Sequence, residues 1–494
     1  MHYVSTRDSA RRLTASEAIV EGLSRDGGLY LPESIPQITL ADIQALAALP
    51  YPQRAAKIMK LYLDEFTEQE LLSYAEKAYG PAKFDTPAAA PIVKTEDSTY
   101  VQELWHGPTC AFKDMALQML PYLLTASLQK TGEEKTVCIL VATSGDTGKA
   151  ALEGFRDVDR TKILVFYPDG GVSDIQKLQM VTQEGQNVGV CAVRGNFDDA
   201  QTGVKRIFSD EALRQTLAAR GYFLSSANSI NWGRVLPQIV YYISAYCDLL
   251  KQGAIAPGDK INVCVPTGNF GNILAGFYAK RMGVPIATLI CASNENNVLT
   301  DFIQTGTYDR NRPFYQTASP SMDILISSNL ERLLYLLSGS DEEVRGYMQA
   351  LAAAGRYTVS QAVADAIRAE FACGFCTDAG GAATIGRMFR ENSYLMDTHT
   401  AVAYTVLQAY RARTGDRTPT VVASTASPFK FCASVLHALG VAEHRPGTQI
   451  LAQLTSVTGR PAPAPLAGLA GKRVRFNEVA DKAAMEAVVT EFLQ

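Results

Sequence analysis

What the chain lacks narrows its chemistry first. Charged residues make up only 19% of 494 positions, and 46 Lys and Arg face 50 Asp and Glu, a formal net charge of −4. A chain of this size that wraps nucleic acid carries a basic excess, so no phosphate backbone is expected as a partner. No run approaches about 18 consecutive apolar residues, which argues against a membrane-spanning helix. The opening MHYVSTRDSARR lacks the apolar core of a secretory signal. The five histidines are scattered without H-E-x-x-H, and no G-x-S-x-G occurs, so neither a zincin site nor a hydrolase nucleophile elbow is encoded. The cysteines number nine and contain one C-x-x-C, Cys373 and Cys376, with no second pair to complete four zinc ligands. An odd set of cysteines scattered through a large chain reads as reduced thiols and points to the cytoplasm. Internal repeats of 20–50 residues and low-complexity tracts are missing too, so the chain is no solenoid.

What is there is an ordinary globular composition, 47% hydrophobic, long enough for about three domains. DTPAAAPIV (Asp85 to Val93) is rich in Pro and Ala and reads as a boundary. Residues 41–80 ahead of it read as helices, the last stopped by Gly80 and Pro81. Strand and helix patterns then alternate. Buried-strand runs lie at Lys135–Thr143, Thr161–Asp169, Asn187–Val193, Lys260–Thr267 and Ile286–Ser293, with helical patterns between them. Ser173 or Asp174 is placed to cap the helix DIQKLQMVTQEG. This rhythm calls for parallel sheets covered by helices, here as two α/β subdomains. GRPAPAPLAGLAG (Gly459 to Gly471) reads as a surface loop and DKAAMEAVVTEFL as a final helix.

Parallel sheets bind ligands at the carboxyl ends of their strands, where two polar loops fall. Thr143-Ser144-Gly145-Asp146-Thr147-Gly148 opens a helix, and hydroxyls with N–H groups at a helix start make an anion site. Asp146 is out of place there unless it has another role; the plain alternative is a helix cap by Ser144 or Asp146. Thr267-Gly268-Asn269-Phe270-Gly271-Asn272 also opens a helix. Its glycines permit unusual backbone and close approach of a ligand, and its N–H groups suit a phosphate. It is neither G-x-G-x-x-G nor a P-loop, so a dinucleotide or nucleoside triphosphate is not the expected ligand. The alternative is a tight turn with packing glycines. Lys113, in Phe112-Lys113-Asp114, has apolar neighbours that ease loss of its charge, which suits a Schiff-base amine. Taken alone it also reads as a surface lysine paired to Asp114.

These three features, in this order, resemble a fold-type II pyridoxal-phosphate enzyme. More narrowly the chain resembles the threonine synthase family, nearly end to end. The resemblance is carried by YVSTRD (Tyr3–Asp8), GLSRDGGLYLP (Gly22–Pro32), ELWHGPTCAFKD (Glu103–Asp114), TSGDTG, NSINWGR (Asn228–Arg234), TGNFGN, SNENN (Ser293–Asn297), SPSMDI (Ser319–Ile324) and STASPFKF (Ser424–Phe431). It implies a tryptophan synthase β-like α/β fold with two parallel-sheet subdomains. Residues 1–95 would form the family's N-terminal domain and 96–494 the catalytic region, with the smaller subdomain at about 130–230. It further implies that Lys113 holds pyridoxal 5'-phosphate as an imine, with Gly268, Asn269, Phe270, Gly271 and Asn272 around the cofactor phosphate. Asp146 would meet the ring hydroxyl, and Thr425 or else Ser424 the pyridine nitrogen. Ser144 and Thr147 would take the substrate α-carboxylate, and Asn231 and Arg234 the substrate phosphate, since Arg offers a bidentate fork.

The implied reaction is O-phospho-L-homoserine plus water giving L-threonine plus phosphate, by γ-elimination and β-hydration. Two alternatives stay open: a phospho-lyase of the same fold that releases 2-oxobutyrate, and a catalytically silent protein that binds pyridoxal phosphate. No metal, membrane or nucleic acid is expected, and the oligomeric state is left open.

Overall fold

The computed structural model describes residues 1–170 and 172–494. Its first layer is helical. Helices Leu40–Ala47 and Glu68–Tyr79 each start from a Thr capping box, Thr39 with Asp42 and Thr67 with Glu70, and Tyr51–Lys60 has a Pro in its first turn. Each device satisfies or removes a donor that a helix start leaves unpaired. Their apolar faces bury Ile43, Ile58, Met59, Leu71 and Ala75. The helices expected over residues 41–80 are therefore present, and they stop before Pro81.

Strands β1 (Ile92–Glu96) and β2 (Thr99–Glu103) follow, paired antiparallel. Strands β3 (Thr136–Ala142), β4 (Thr161–Pro168), β5 (Val188–Arg194) and β6 (Tyr222–Ser225) build a second, parallel sheet. The chain then returns to the first sheet with β7 (Ile261–Pro266), β8 (Ile286–Ser293), β9 (Phe371–Phe375) and β10 (Thr420–Ser424). The larger sheet has the order β9-β8-β7-β10-β2-β1 and is parallel except at its β1 edge. The smaller has the order β11-β5-β4-β3-β6, where β11 is the C-terminal Val479–Asp481. The second sheet is thus not confined to residues 130–230, because the chain end adds a strand and the helix Met485–Phe492 to it. Strands buried on both faces need continuous apolar runs, which is why β3, β4, β5, β7 and β8 were legible. The short strands β6, β9 and β10 carry fewer such residues and were not.

Four helices place the site: α1 (Asp146–Phe155), α2 (Trp232–Lys251), α3 (Gly271–Met282) and α4 (Thr398–Thr414). α2 is almost wholly buried and packs on the N-terminal helices and on α3. Its first residue, Trp232, sits among Tyr3, Tyr62 and Tyr278 at ring separations of 5.7, 5.7 and 5.3 Å. Such pairs add about 0.5–1.5 kcal/mol each beyond burial, enough to pin the start of α2. Arg54 of the N-terminal helices, itself buried, meets Asp248 of α2 at 2.6 Å. The segment 459–471 is not wholly loop: it holds the short helix Ala464–Ala467, with Leu466 and Leu469 buried.

Candidate active site

Lys113 follows a loop that returns to the end of β10. Phe112 N–H donates to Thr425 O at 2.8 Å, and Ala111 bridges Ala426. The side chain is buried, 9% exposed, with Nζ 3.5 Å from Asp146 Oδ2, 3.3 Å from Ser321 Oγ and 4.9 Å over the Phe112 ring. Burial pushes the Lys113 ammonium down to about 8; Asp146 opposes the fall, and Lys430 and Arg234 add to it. Asp114 is not its partner, because that carboxylate accepts from Thr109 N at 2.8 Å and Thr109 Oγ1 at 2.7 Å. The surface-pair alternative is therefore excluded.

Asp146 is the first residue of α1, and neither it nor Ser144 caps the helix. The capping residue is Gly145, at φ 126°, which makes no side-chain bond. A Cβ there would lie 2.5 Å from Gln176 Cδ, so only glycine fits. Thr143 Oγ1 accepts from the N–H groups of Gly145 and Gly148, which shapes the loop. Ser144 and Thr147 are half-buried and have no side-chain partner among the described residues. Asp146 Oδ1 accepts from Lys430 Nζ at 2.7 Å and Gln176 Nε2 at 2.9 Å. Burial alone would raise the Asp146 carboxyl, but Lys430 and Lys113 hold it well below the usual carboxylate range. Lys430, fully buried, was not anticipated. Phe429 and Phe431 give Lys430 apolar neighbours like those of Lys113, but nothing local reports that it pairs with Asp146.

The 267–272 loop joins β7 to α3. The unusual backbone falls on Phe270, at φ 62°, and not on the glycines as expected. The glycines serve close packing instead. A Cβ on Gly268 would meet Ser321 O at 2.7 Å, and one on Gly271 would meet Asn329 Nδ2 at 3.3 Å. The loop is held from outside: Ser327 Oγ donates to Gly268 O at 2.7 Å, and Asn329 N to Asn269 O at 3.0 Å. α3 begins without a side-chain cap, and its first turn is buried. Asn272 Oδ1 accepts from the hydroxyls of Tyr241 and Tyr242, while its Nδ2 is buried with no partner. Gly268→Ala presses on a backbone carbonyl and Gly271→Ala only on a movable side chain. Overpacking of the first kind costs about 1–3 kcal/mol. Gly268→Ala is therefore expected to weaken cofactor affinity about tenfold or more and Gly271→Ala less, as read by cofactor titration with circular dichroism.

Arg234 is the third residue of α2, buried at 4% exposure. Its Nη1 donates to Ala227 O at 2.8 Å, its Nε has no partner, and no carboxylate meets it among the described residues. Burial pushes the guanidinium down to about 10. Asn231 behaves differently. Its Oδ1 accepts from Gly233 N at 2.9 Å, capping α2, and its Nδ2 donates to Ile19 O at 3.0 Å. Both polar atoms of Asn231 are thus engaged in positioning α2, whereas the Arg234 Nε is not engaged. The two hydroxyls after β10 also part company. Ser424 Oγ accepts from Trp105 Nε1 at 3.1 Å and Thr400 Oγ1 at 3.0 Å, whereas the Thr425 hydroxyl has no partner among the described residues.

Further residues escaped sequence reasoning. Ser321 N–H donates to His399 Nε2 at 3.1 Å, and His399 Nδ1 lies 2.8 Å from Asp397 Oδ2. This relay at the start of α4 fixes the 319–323 segment over Lys113. Arg332, fully buried, donates to Tyr30 O at 2.9 Å and Ser229 O at 3.3 Å, tying the N-terminal layer to the loop before α2.

Three family models match in order: threonine synthase N terminus over residues 2–79, pyridoxal-phosphate dependent enzyme over 82–426, and threonine synthase C-terminal over 400–489. Threonine synthase of Pseudomonas aeruginosa is 39% identical over 437 residues, covering 88% of this chain and 90% of that protein. The chain belongs to the threonine synthase family. A solved pyridoxal-phosphate-bound threonine synthase from Brucella melitensis is similar throughout, with 39% identity, a TM-score of 0.88 and full coverage of both chains. Threonine synthase-like 1 of Homo sapiens is 40% identical over 461 residues, 89% of this chain. The chain spans about 61% of that relative's length. Fold-type II architecture follows from the family and agrees with the two sheets.

The C-x-x-C lies outside this machinery. Cys373 and Cys376 are buried, as are the other seven cysteines, and burial raises both thiols. Among the described residues no three His, Cys, Asp or Glu side chains converge to hold a metal. Serine at both positions is expected to leave activity within a few-fold. Stoichiometric zinc by elemental analysis, lost in that double variant, would contradict this.

Proposed function

We propose that this chain converts O-phospho-L-homoserine and water into L-threonine and phosphate, using pyridoxal 5'-phosphate held at Lys113. The observation that carries the reading is the buried Arg234 guanidinium, whose charge acts on Lys113 and which no carboxylate among the described residues meets. A buried charge without a counter-ion is costly, and an anionic ligand removes that cost. The residues present also suit the cofactor. The uncapped, buried start of α3 and the orphaned Asn272 Nδ2 offer donors for a phosphate. Lys113 offers a desolvated amine for a carbonyl carbon. When bound, pyridoxal phosphate supplies an electron sink for charge developing at substrate carbons.

The chain's own residues divide the remaining work. Lys113 holds the cofactor, then takes a proton from the substrate α-carbon and later returns it. Asp146 Oδ2, which meets Lys113 and Ser321 only at 3.5 Å, would accept from the ring hydroxyl of bound cofactor. The Thr425 hydroxyl serves the pyridine nitrogen, a choice supported by the engagement of Ser424 Oγ with Trp105 and Thr400. A hydroxyl there leaves that nitrogen neutral. Ser144 and Thr147, with neighbouring N–H groups at the start of α1, receive the α-carboxylate. Gly268 to Asn272 cradle the cofactor phosphate, and Arg234 takes the substrate phosphate that leaves. Residues 1–95 act as an N-terminal domain that braces α2, and 96–494 as the catalytic region. The setting is cytoplasmic, and no helix among the described residues is long and apolar enough to cross a membrane.

Incubation with O-phospho-L-homoserine followed by amino-acid and phosphate analysis tests the reading. Threonine and phosphate in equal amounts are expected. Phosphate with 2-oxobutyrate would instead make the chain a phospho-lyase, and no product at all would make it a silent binder.

A further inference from the structure

Asp146 faces more positive charge than it can neutralise. Lys430 Nζ lies 2.7 Å from Oδ1 and Lys113 Nζ 3.5 Å from Oδ2. The Arg234 guanidinium also acts on Lys113 but meets no carboxylate among the described residues, so two cations share Asp146 and a third adds to the positive field on Lys113. Asp114, the other acid facing Lys430, is already engaged by Thr109. His399 reaches this cluster only through the backbone of Ser321. The two oxygens of Asp146 are used differently. Oδ1 is saturated by Lys430 and Gln176, while Oδ2 meets Lys113 and Ser321 Oγ only at 3.5 Å. Lys430 is wholly enclosed and anchored a second time, donating to Thr109 O at 2.9 Å.

We propose that Lys430 is a positioning residue, the fixed counter-ion of Asp146, whose ammonium neutralises that carboxylate so that Lys113 is the cation that gives up its proton. The inference rests on the reading of Lys113 as the reactive amine. Excess positive charge is relieved most cheaply at the amine with the longest contact to the carboxylate, and an amine yields before a guanidinium. Without Lys430, Asp146 and Lys113 become a simple ion pair, and the pair holds the proton on Lys113. Lys430 is thus the device by which an acid stands at a helix start beside a reactive amine without locking it in charged form.

Competitive labelling of Lys113 with trace acetic anhydride across pH, read by peptide mapping of the full-length protein freed of cofactor, tests this. The parent midpoint is expected near 8. In Lys430→Met it should rise by about one unit or more, an approximately tenfold loss of labelling at the parent midpoint. Lys430→Arg, which keeps the charge, should stay near the parent. The double variant Asp146→Asn with Lys430→Met leaves no unpaired charge at this spot and removes the group that favours the Lys113 ammonium, so its midpoint should fall below the parent's. An unmoved midpoint in Lys430→Met would overturn the proposal. If that single variant does not fold, the double variant decides: a midpoint at or above the parent's would overturn it. The readout needs neither cofactor nor substrate. A wrong substrate therefore leaves it intact, while shifts in the expected directions without turnover would count against the proposed reaction alone.

Discussion

Lys113→Ala is expected to abolish turnover, with kcat lower by at least about a thousandfold, because one substitution removes both the covalent hold on the cofactor and the principal proton carrier. General acid–base catalysis by a placed side chain is worth roughly 10²–10⁴ on its own. The fold should survive. Asp146 keeps Lys430 at 2.7 Å and Gln176 at 2.9 Å when Lys113 is gone, so no buried charge is stranded. Steady-state assay with phosphate release, beside thermal unfolding of the same preparation, gives both numbers. Borohydride reduction of the parent should fix the cofactor on the peptide containing Lys113. Label on another lysine, or turnover within tenfold of the parent, would refute the assignment.

Arg234→Leu should separate function from stability. The guanidinium is buried, its Nε is unpaired, and no carboxylate meets it among the described residues. A buried charge without an ion partner carries an uncompensated desolvation cost, which an apolar side chain removes. The unfolding midpoint is therefore expected to stay or rise. The substrate phosphate, in contrast, loses a charge-assisted hydrogen bond worth about 1.5–3 kcal/mol, so kcat/KM for O-phospho-L-homoserine should fall about tenfold to more than a hundredfold. Slow reactions on unphosphorylated amino acids such as serine should change little. An arginine that merely braces α2 would behave in the opposite way, costing stability and sparing the phosphorylated substrate.

Much of this protein was legible in order along the chain. Strands buried on both faces must be apolar throughout, so β3, β4, β5, β7 and β8 declared themselves, and with them the loops at their carboxyl ends. Asp146 drew notice because an acid in an anion-binding loop would repel the anion unless it has another role. Lys113 drew notice because its neighbours are apolar. The family resemblance carried these hints further than periodicity alone, since short catalytic motifs gain meaning from their sequence of occurrence.

The local pattern by itself determined the alternation of strand and helix and the two polar loops that open helices, while the choice of Lys113 over a plain surface lysine came from the family resemblance. Only the tertiary structure decided who neutralises whom. Lys430, Ser321 and His399 come from segments far along the chain, and nothing in their own surroundings reports that they converge on Lys113. The same holds for Asn231, whose polar atoms turn inward to cap α2 and reach Ile19, and for Ser424, whose hydroxyl is taken by Trp105 and Thr400. It holds for Gly268, required by the carbonyl of Ser321 and not by its own turn. Burial periodicity is written residue by residue because each strand or helix must hide one face. Charge pairing across elements depends on which faces meet, and that is settled when the sheets and α2 pack together.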